Sequence, residues 1–447
     1  MKKIIILGAG PTGLGAAYQL RKHDYKNWQI YEKNNYIGGL SASFKDEKGF
    51  TWDIGGHVIF SGNDRFNKLV DSLLGNEMLT FSRESWIWLK DSFIKYPFQN
   101  NFHLHPDKGI VLKCVLGLLD NLNKKDSYKN FEEWICSFFG EGIAKYFMIP
   151  YNKKVWASPL NKLDYNWISE RVSIIDINRI LKNIIYQRDD SDWGPNNIFR
   201  YPLAGGICSL FNRFLPYTNG HLHLNKEVAR ILPDKKEVIF RDGQKVSYDI
   251  LISTIPLNEL LKKMAGKTGE IGKRSAKLLW NGGYMVGIGV KKPCPSKKNW
   301  MYFPQDDSPF YRVTYLSNYS PNMTPKGKFF SFLAETSYSK YKAVPRDSII
   351  EETIQGLVNS KLITEEDRSL IVSTYMLDAP YSFPIPFLGR DKVLKEIQSF
   401  LVKNGIFSRG RFGGWKYEVG NMDHSVMQGI EVVERILLGK EESVYKS

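Results

Sequence analysis

The first 39 residues contain the pattern that most restricts the fold of this chain. A run of apolar residues, Ile4–Leu7, leads directly into a turn with Gly8, Gly10 and Gly13, and an apolar helical pattern follows. In a strand–turn–helix unit of this kind, the first glycine permits the tight turn, the second lets the backbone approach a pyrophosphate, and the third lets the helix pack on the strand. The phosphates then meet a helix N-terminus. The pattern predicts a Rossmann-like domain that binds a dinucleotide.

An acidic residue and a second pair of glycines complete the unit. Glu32 follows another apolar run and lies 24 positions after Gly8, close to the spacing of about 20 at which an acid accepts hydrogen bonds from a ribose. Gly38 and Gly39 come next, and this extension is similar to that of flavoproteins of the glutathione reductase type, which NAD enzymes generally lack. We therefore expect FAD as the bound dinucleotide.

Length and charge restrict the class of protein. A chain of 447 residues is long enough for two or three domains, and its 43% hydrophobic and 24% charged residues are typical of a globular chain. The net charge of +15 favours an anionic partner, but the basic residues form no long blocks. We expect no nucleic-acid partner and, because no apolar run approaches about 18 residues, no membrane insertion.

The cysteines give no sign of a metal site. Cys114, Cys136, Cys208 and Cys294 are far apart and form neither CxxC pairs nor the spacings of zinc ligands with histidine. We therefore predict no metal and a cytoplasmic protein with reduced thiols.

Hydrophobic periodicity divides the rest of the chain. Apolar residues recur at helical spacing between about 106 and 190, whereas aromatic and β-branched runs between about 280 and 380 are typical of strands. We predict an α/β fold class, with a Rossmann-like FAD domain of the glutathione reductase type, an inserted helical domain and an antiparallel β-sheet domain. The predicted bounds are 1–81, 202–268 and 395–447 for the discontinuous FAD-binding domain, 102–201 for the helical domain with mobile substrate loops, and 82–101 and 269–394 for the sheet domain.

Three arginines, Arg171, Arg312 and Arg411, are candidates for binding a diphosphate. A guanidinium binds phosphate through paired hydrogen bonds and keeps its charge near neutrality. Each alone is more typical of a surface ion pair, but three in similar settings favour an anion site. The run Tyr96–Asn100 adds an aromatic face and an amide that matches the edge of uracil, although by itself it is more typical of an aromatic strand end. His57 follows two glycines, and a buried structural histidine is its alternative interpretation.

These segments together resemble the UDP-galactopyranose mutase family, and within it the eukaryotic-type branch. The matching segments are 55–61, 96–101, 147–157, 193–196, 310–312, 317–321 and 410–425. They are distributed over almost the whole chain, so the resemblance implies a fold and a function for all of it.

The resemblance also implies roles for individual residues. The residues implied for FAD are Gly8, Gly10, Gly13, Glu32, Gly39, Ser41, Arg83, Ser85, Arg411 and Asn421. Those implied for uridine are Tyr96, Phe98, Gln99, Met148, Asn152 and Trp156. The residues implied for the diphosphate are Arg171, Arg312, Tyr302, Tyr319 and Tyr417. Those implied for the sugar are Trp300 and Asn196. Arg171 and Asn196 are expected on loops that close over the substrate. The implied catalytic residues are Arg312, Arg171 and His57, with His57 steering the flavin geometry.

The implied activity is the interconversion of UDP-galactopyranose and UDP-galactofuranose without net redox change. In the family, N5 of reduced FAD attacks the anomeric carbon, displaces UDP and forms a covalent flavin–sugar adduct. NADPH or NADH is the expected reductant. The open alternatives are a mutase for a different nucleotide sugar, an FAD oxidase of the amine or porphyrinogen oxidase type, and a nucleotide-sugar sensor without turnover. The oligomeric state is open too, a homo-oligomer being one alternative.

Two positions depart from the family pattern. Phe383 precedes Pro384 where the family has a tyrosine that reaches the diphosphate, and Asp192 stands where an asparagine is expected. A phenyl ring cannot donate a hydrogen bond, so nearby Tyr381 is the alternative donor that the sequence offers. These two changes leave the nucleotide and the sugar open.

Overall fold

The structure is a computed structural model that describes residues 1–121, 127–168, 172–192, 194–264 and 269–446. The strands are β1 (Ile4–Leu7), β2 (Trp28–Tyr31), β3 (Ser43–Lys45), β4 (Thr51–Asp53), β5 (Met78–Ser82), β6 (Ser85–Leu89), β7 (Ser92–Lys95), β8 (Ile198–Pro202), β9 (Leu222–His223), β10 (Val228–Leu232), β11 (Glu237–Phe240), β12 (Lys245–Ser247), β13 (Ile250–Ser253), β14 (Trp280–Val290), β15 (Trp300–Tyr302), β16 (Arg312–Tyr315), β17 (Phe330–Tyr338), β18 (Ile371–Pro384) and β19 (Ile406–Ser408).

The helices lie singly or in groups between these strands and after the last one. They are α1 (Pro11–Lys22), α2 (Asp64–Leu74), α3 (Phe98–Asn101), α4 (Lys108–Asp120), α5 (Phe131–Ile143), α6 (Ile149–Trp156), α7 (Ile177–Tyr186), α8 (Cys208–Asn212), α9 (Leu215–Thr218), α10 (Leu257–Lys263), α11 (Gly269–Ser275), α12 (Ile349–Asn359), α13 (Arg390–Lys403) and α14 (Met422–Leu438). In the described part of the chain, no helix is both long and apolar enough to cross a membrane.

A parallel sheet with the order β19-β13-β1-β2-β9 forms the centre of the nucleotide-binding region. Ile4 and Ile6 of β1 are fully buried on one face, together with Leu14 and Ala17 of α1, whereas Ile5 is buried on the other face. A strand covered on both faces needs a continuous apolar run, which explains the four consecutive apolar residues of β1. The α/β class with a Rossmann-like domain is confirmed.

A second sheet with the order β18-β14-β17-β16-β15-β6-β7 forms the other layer. Its neighbours are antiparallel except β15 and β6, which run parallel with Trp300 opposite Ser85. The predicted antiparallel sheet is therefore present, with one parallel pair that the sequence did not indicate. The hairpin β6–β7 enters the sheet more than 200 residues before β15, so no short turn sets the relative direction of these two strands.

The helical region lies between β7 and β8 and contains α3 to α7. Its first helix, Phe98–Asn101, lies where the sequence suggested the end of an aromatic strand, so that interpretation was wrong. Further along, residues 144–148 form a π-helical turn that continues into α6. Side chains of the turn and of α6 therefore point both into the helical core and toward the sheets. The domain bounds stay a prediction.

Helices α1 and α14 pack unusually closely because glycines lie at their crossing. A Cβ atom placed on Gly429 of α14 would lie 2.0 Å from the carbonyl oxygen of Thr12, and one on Gly15 would lie 2.4 Å from that of Val426. Real Cβ atoms do not approach backbone atoms this closely. The crossing therefore brings the N-terminus of α1 against α14, and with it the glycine turn of the nucleotide-binding unit.

We expect the variant Gly429→Ala to be destabilised. Alanine improves helix propensity by about 1 kcal/mol, but overpacking against the rigid backbone of α1 costs about 1–3 kcal/mol, so the net change is unfavourable. Urea unfolding followed by circular dichroism measures it. Gly62→Ala is the matched control, since nothing lies within 4 Å of a Cβ at Gly62. Equal stabilities of the two variants would contradict the close crossing.

Candidate functional site

A cavity of about 1450 Å³ lies between the two sheets and the helical region. Ligand cavities in proteins typically measure about 300–1,000 Å³. This cavity therefore has room for a cofactor together with a substrate.

The turn after β1 borders one part of the cavity. Gly8 has a φ of +102°, and a Cβ on Gly13 would lie 1.9 Å from the carbonyl oxygen of Gly8, so glycine is required at both positions. Gly10 precedes α1 without a side chain to cap it. Because the first backbone N–H groups of a helix lack intrahelical partners, this turn presents donors suited to phosphate oxygens.

Glu32 lies at the end of β2 beside this turn. Its carboxylate accepts hydrogen bonds from the backbone N–H groups of Ala9 and Asn34, at 2.8 and 2.9 Å. The side chain is almost buried but borders the cavity. Two backbone donors thus orient the carboxylate as an acceptor for hydroxyl groups such as those of a ribose.

A second glycine contact and a second helix N-terminus border the same cavity as the start of α1. Gly39, with a φ of +53°, would place a Cβ atom 3.2 Å from the Cα of Gly10. Asn421 lies at the N-terminus of α14 and makes no capping hydrogen bond with its side chain. Two helix N-termini and a narrow glycine-lined gap therefore meet in this part of the cavity, which fits an extended dinucleotide with a pyrophosphate.

Arg312 and Glu335 form a bidentate ion pair at the cavity wall. Cross-strand register places them directly opposite each other on β16 and β17, and the distances are 2.6 Å from Nε to Oε1 and 2.8 Å from Nη2 to Oε2. Glu335 also accepts hydrogen bonds from the Tyr311 hydroxyl and the Gly56 N–H. Burial acts to raise the pKa of Glu335, but the Arg312 charge and these donors hold it below its usual value.

The remaining Nη1 group of Arg312 makes no hydrogen bond to protein within the described residues. Burial disfavours the guanidinium charge, but Glu335 more than offsets it, so the pKa of Arg312 is raised. Arg312 therefore carries a permanent charge with one fixed edge and one edge open to the cavity.

His57 borders the cavity near this pair. Burial lowers its pKa to about 4, and the charges of Arg411 and Arg312 add to the effect while Glu335 opposes it. Its Nδ1 atom is buried and has no partner among the described residues. His57 is therefore a neutral imidazole near pH 7, with a ring nitrogen left for a bound group.

The helical region supplies a second part of the cavity wall around Gln99. The Gln99 side chain donates through Nε2 to the carbonyl oxygen of Ser173, while its Oε1 is buried without a partner among the described residues. A buried amide oxygen without a donor costs free energy unless a ligand supplies one. An imide N–H such as that of uracil fits this acceptor, and Tyr96 and Trp156 provide the neighbouring aromatic surface.

Arg411 connects the nucleotide-binding region to the second sheet. It donates hydrogen bonds to the carbonyl oxygens of Ser382 and Gly420, both at 2.9 Å. Its guanidinium carbon lies 4.9 Å from the ring centre of Phe383 and 5.7 Å from that of Tyr417. Phe383 thus contributes a cation–π contact rather than a hydrogen bond.

The Tyr381 hydroxyl, the alternative donor that the sequence offers, borders the cavity and is hydrogen-bonded within the protein. It accepts a hydrogen bond from the Asn258 amide at 2.9 Å and lies 3.1 Å from a carboxylate oxygen of Glu259. Its proton is therefore engaged by Glu259.

Most of the residues implied by the sequence border this one cavity. They are Gly8, Gly10, Glu32, Gly39, Ser41, His57, Tyr96, Gln99, Met148, Asn152, Trp156, Asn196, Tyr302, Arg312, Arg411, Tyr417 and Asn421. Residues far apart in the chain thus meet at one place, and their individual roles stay predictions.

Other implied residues lie behind the cavity wall. They are Gly13, Arg83, Ser85, Phe98, Trp300 and Tyr319, none of which borders the cavity in the part of the chain that the structure describes. Arg171 falls outside the described residues. Arg83 donates to Asn196 Oδ1 and to the carbonyl oxygen of Ser191, both at 2.7 Å, so it positions the segment that carries Asn196.

Other residues of this second set support side chains that do border the cavity. Trp300 donates its indole N–H to the Tyr302 hydroxyl at 2.7 Å. Phe98 packs against Phe147, which borders the cavity, with 5.4 Å between ring centres. The Tyr319 ring packs at 5.1 Å against Tyr201, which like Tyr319 lies behind the cavity wall. We therefore expect these residues to act on a ligand through their neighbours.

The sequence argument missed Glu335 and Tyr151. Glu335 is the ionised residue in the otherwise uncharged strand Phe330–Tyr338, and a buried carboxylate requires a cationic partner, so this signal was present. Tyr151 stacks on Phe147 with ring centres 5.2 Å apart and contacts Tyr302. Nothing in its sequence position distinguished it from other aromatic residues of the helical region.

Comparisons with known proteins agree with this geometry. Residues 6–73 match the NAD(P)-binding Rossmann-like domain, and residues 158–437 match the flavin-containing amine oxidoreductase family. Mitochondrial protoporphyrinogen oxidase of Nicotiana tabacum is 26% identical over 34% of this chain and 32% of its own length. Chloroplastic 15-cis-phytoene desaturase of Arabidopsis thaliana is 24% identical over 58% of this chain and 48% of its own length. The chain thus spans about a third and about half of these two relatives.

Solved structures extend the comparison to the full chain. A putative protoporphyrinogen oxidase from Exiguobacterium shares the fold, with a TM-score of 0.73 at 14% identity over 98% of this chain and 99% of its own. The crystal structure of a reduced UDP-galactopyranose mutase has a TM-score of 0.97 at 42% identity over 100% of this chain and 96% of its own. The chain therefore belongs to the UDP-galactopyranose mutase family, among the flavin-containing amine oxidoreductases.

Proposed function

We propose that this chain interconverts UDP-galactopyranose and UDP-galactofuranose with reduced FAD as its cofactor. The observation that carries the proposal is the meeting, in one cavity, of a dinucleotide cradle, the open edge of Arg312 and the amide oxygen of Gln99, which has no partner among the described residues. A mutase of 42% identity over nearly its whole length supports the same assignment.

The residues of the cradle would hold the cofactor by its two polar parts. The turn at Gly8 and Gly10 would bind the pyrophosphate, and Glu32 would accept hydrogen bonds from the adenosine ribose. Asn421 and Arg411 border the same cavity, where the charge of Arg411 acts on His57, and would contact the flavin. When bound and reduced, FAD would supply the nucleophilic nitrogen that the proposed reaction requires.

Arg312 would bind the diphosphate of the substrate. Glu335 fixes its guanidinium through two hydrogen bonds, so the open Nη1 edge is already oriented before the substrate binds. Charge accumulates on the diphosphate as UDP departs from the anomeric carbon. A fixed donor at such a position stabilises the transition state by about 3 kcal/mol.

Uridine would bind at the helical side of the cavity. The free Oε1 of Gln99 accepts the uracil imide N–H, and Trp156 and Tyr96 enclose the base. Asn152 donates its amide to the Met148 carbonyl oxygen at 2.7 Å, which leaves its own oxygen as a further acceptor. This arrangement favours a pyrimidine nucleotide over an amine or a porphyrinogen.

Three finer assignments accompany the proposal. NADPH or NADH is the proposed reductant, testable as the rate of anaerobic flavin bleaching by each nucleotide. A cytoplasmic location is proposed because the four cysteines are far apart in the sequence and form no CxxC pairs. The domain bounds given under Sequence analysis are retained as part of the proposal.

Product analysis under anaerobic conditions tests the activity. We expect the dithionite-reduced protein to convert UDP-galactofuranose to UDP-galactopyranose, and the oxidised protein to be inactive. A panel of UDP- and dTDP-hexoses defines the substrate. Oxygen consumption with an amine or a porphyrinogen would instead identify the protein as an oxidase. Binding of UDP without any turnover would identify it as a nucleotide-sugar sensor.

We expect Arg312→Lys to lower kcat by about 10²–10³-fold, the usual effect of losing one transition-state donor. Lysine keeps a cation beside Glu335 but lacks the planar fork that binds a carboxylate and a phosphate together. Steady-state kinetics and the flavin absorbance measure activity and cofactor content. The exposed Arg346→Lys is the control. Near wild-type turnover of Arg312→Lys would remove Arg312 from the diphosphate role.

We expect Gln99→Met to weaken UDP binding by about five- to tenfold, because one hydrogen bond of about 1 kcal/mol is lost while the side-chain volume is retained. Isothermal titration of the holoprotein with UDP measures it. Gln355→Met, on the exposed face of α12, is the control. Unchanged UDP affinity with a weakened FAD affinity would place Gln99 at the cofactor instead.

We expect His57 to reduce the stability of the protein at acid pH. Its folded pKa of about 4 is below its ordinary value of 6.5, so the unfolded chain binds the proton more tightly. The stability present above pH 6.5 is lost as the pH falls toward 4, by up to roughly 3 kcal/mol. Urea unfolding of wild type and His57→Asn between pH 7.5 and 4.5 measures the difference. Parallel stability curves would show that His57 titrates normally.

A further inference from the structure

The end of the chain folds back onto the turn that carries Arg411. Helix α14 ends at Leu438, and Gly439 follows with a left-handed φ of 69° that reverses the chain. We call residues 439–446 the C-terminal strap, and residues 409–417 the flavin-side turn.

The strap is joined to the flavin-side turn by a buried ion pair. Glu442 accepts hydrogen bonds from Nε and Nη2 of Arg409, at 2.5 and 2.6 Å, and from Arg435 at 2.8 Å. The side chains of Arg409 and Glu442 are each 2% exposed. Because a buried charge without its partner is strongly unfavourable, strap and turn are constrained to stay together.

Tyr445 makes the second contact between strap and turn. Its hydroxyl donates to the carbonyl oxygen of Gly414 at 3.0 Å, and its ring centre lies 4.6 Å from the guanidinium carbon of Arg409. Lys416 donates to the carbonyl oxygen of Lys446 at 2.6 Å. The strap thus contacts the flavin-side turn at three places: at the start of the turn, in its middle and near its end.

Glu431 of α14 fixes the strap itself. Its carboxylate accepts hydrogen bonds from the backbone N–H groups of Ser443 and Val444, at 2.8 and 2.9 Å, and from the Ser443 hydroxyl at 2.6 Å. The position of the strap is therefore set by a rigid helix rather than by the turn alone.

The flavin-side turn borders the large cavity, and so do Ser443 and Val444 of the strap. Arg411 and Tyr417 both lie there, and between them the non-glycine residue Trp415 has a left-handed φ of 57° and is fully buried. A residue in this backbone conformation stays there only when its surroundings hold it. The strap is packed against the turn where such support is needed.

We propose that Glu442 and Tyr445 are positioning residues for the flavin site. Through the flavin-side turn, they set the orientation of Arg411 and Tyr417 toward FAD and the diphosphate. The roles of Arg411 and Tyr417 rest on the proposed function, whereas the link between strap and turn does not.

The test compares Glu442→Gln and Tyr445→Phe with the control Glu441→Gln, whose side chain is exposed. The readouts are the rate of FAD release from the holoprotein, hydrogen–deuterium exchange of the peptide 409–417, and kcat and KM. For Glu442→Gln we expect FAD release to be faster by about tenfold, the effect of losing one charged hydrogen bond. We also expect faster exchange in the peptide and a lower kcat.

The outcomes separate a positioning role from a merely structural one. A lower melting temperature of Glu442→Gln with wild-type FAD release, exchange and kcat would overturn the proposal. If Glu442→Gln does not fold, Tyr445→Phe decides, since it removes only the bond to Gly414. Absence of mutase activity in the wild type would refute the proposed function alone. Faster FAD release from Glu442→Gln would in that case still support the positioning role of the strap.

Discussion

The ion pair between Arg312 and Glu335 is the interaction on which the site depends. It joins two neighbouring strands of the second sheet, and through Gly56 it also holds the segment that leads to His57. Glu335 is 2% exposed, so loss of its partner would leave a buried carboxylate uncompensated, at a cost of about 3–5 kcal/mol. The pair therefore stabilises the fold and at the same time orients a cation at the cavity. Arg312 remains chemically useful because Glu335 occupies only one edge of its guanidinium.

The same pair explains the state of His57. The His57 imidazole is buried and lies near Arg411 and Arg312, and both conditions lower its pKa. It therefore stays neutral, since protonation would add a third positive charge to the same wall of the cavity. The positive potential at this wall comes from the two arginines, whose charge does not depend on pH near neutrality. The potential that attracts a diphosphate is thus constant over the physiological range. Titration of His57 therefore does not change this potential near pH 7.

Contacts between residues close together in the sequence were predictable, whereas contacts between residues far apart in the sequence were not. The turn at Gly8 and the acid Glu32 belong to one local unit of known spacing, so both the fold and the position of the dinucleotide cradle were predictable. Arg312 and Glu335 are 23 residues apart, and their contact depends on strand register, which no local pattern specifies. The parallel pairing of β15 with β6 is likewise a property of tertiary assembly. The helix at Phe98 was missed because an aromatic run has no helical period over four residues.

The two ends of the chain differ in what can be attached to them. Met1 is 82% exposed, whereas Tyr445 is buried and the Lys446 carbonyl oxygen accepts a hydrogen bond from Lys416. An affinity tag or fluorophore fused directly after residue 446 would pull on a segment packed against Arg409. Labelling at the amino end leaves that packing undisturbed, and it is the better choice for immobilising the protein or following it by fluorescence.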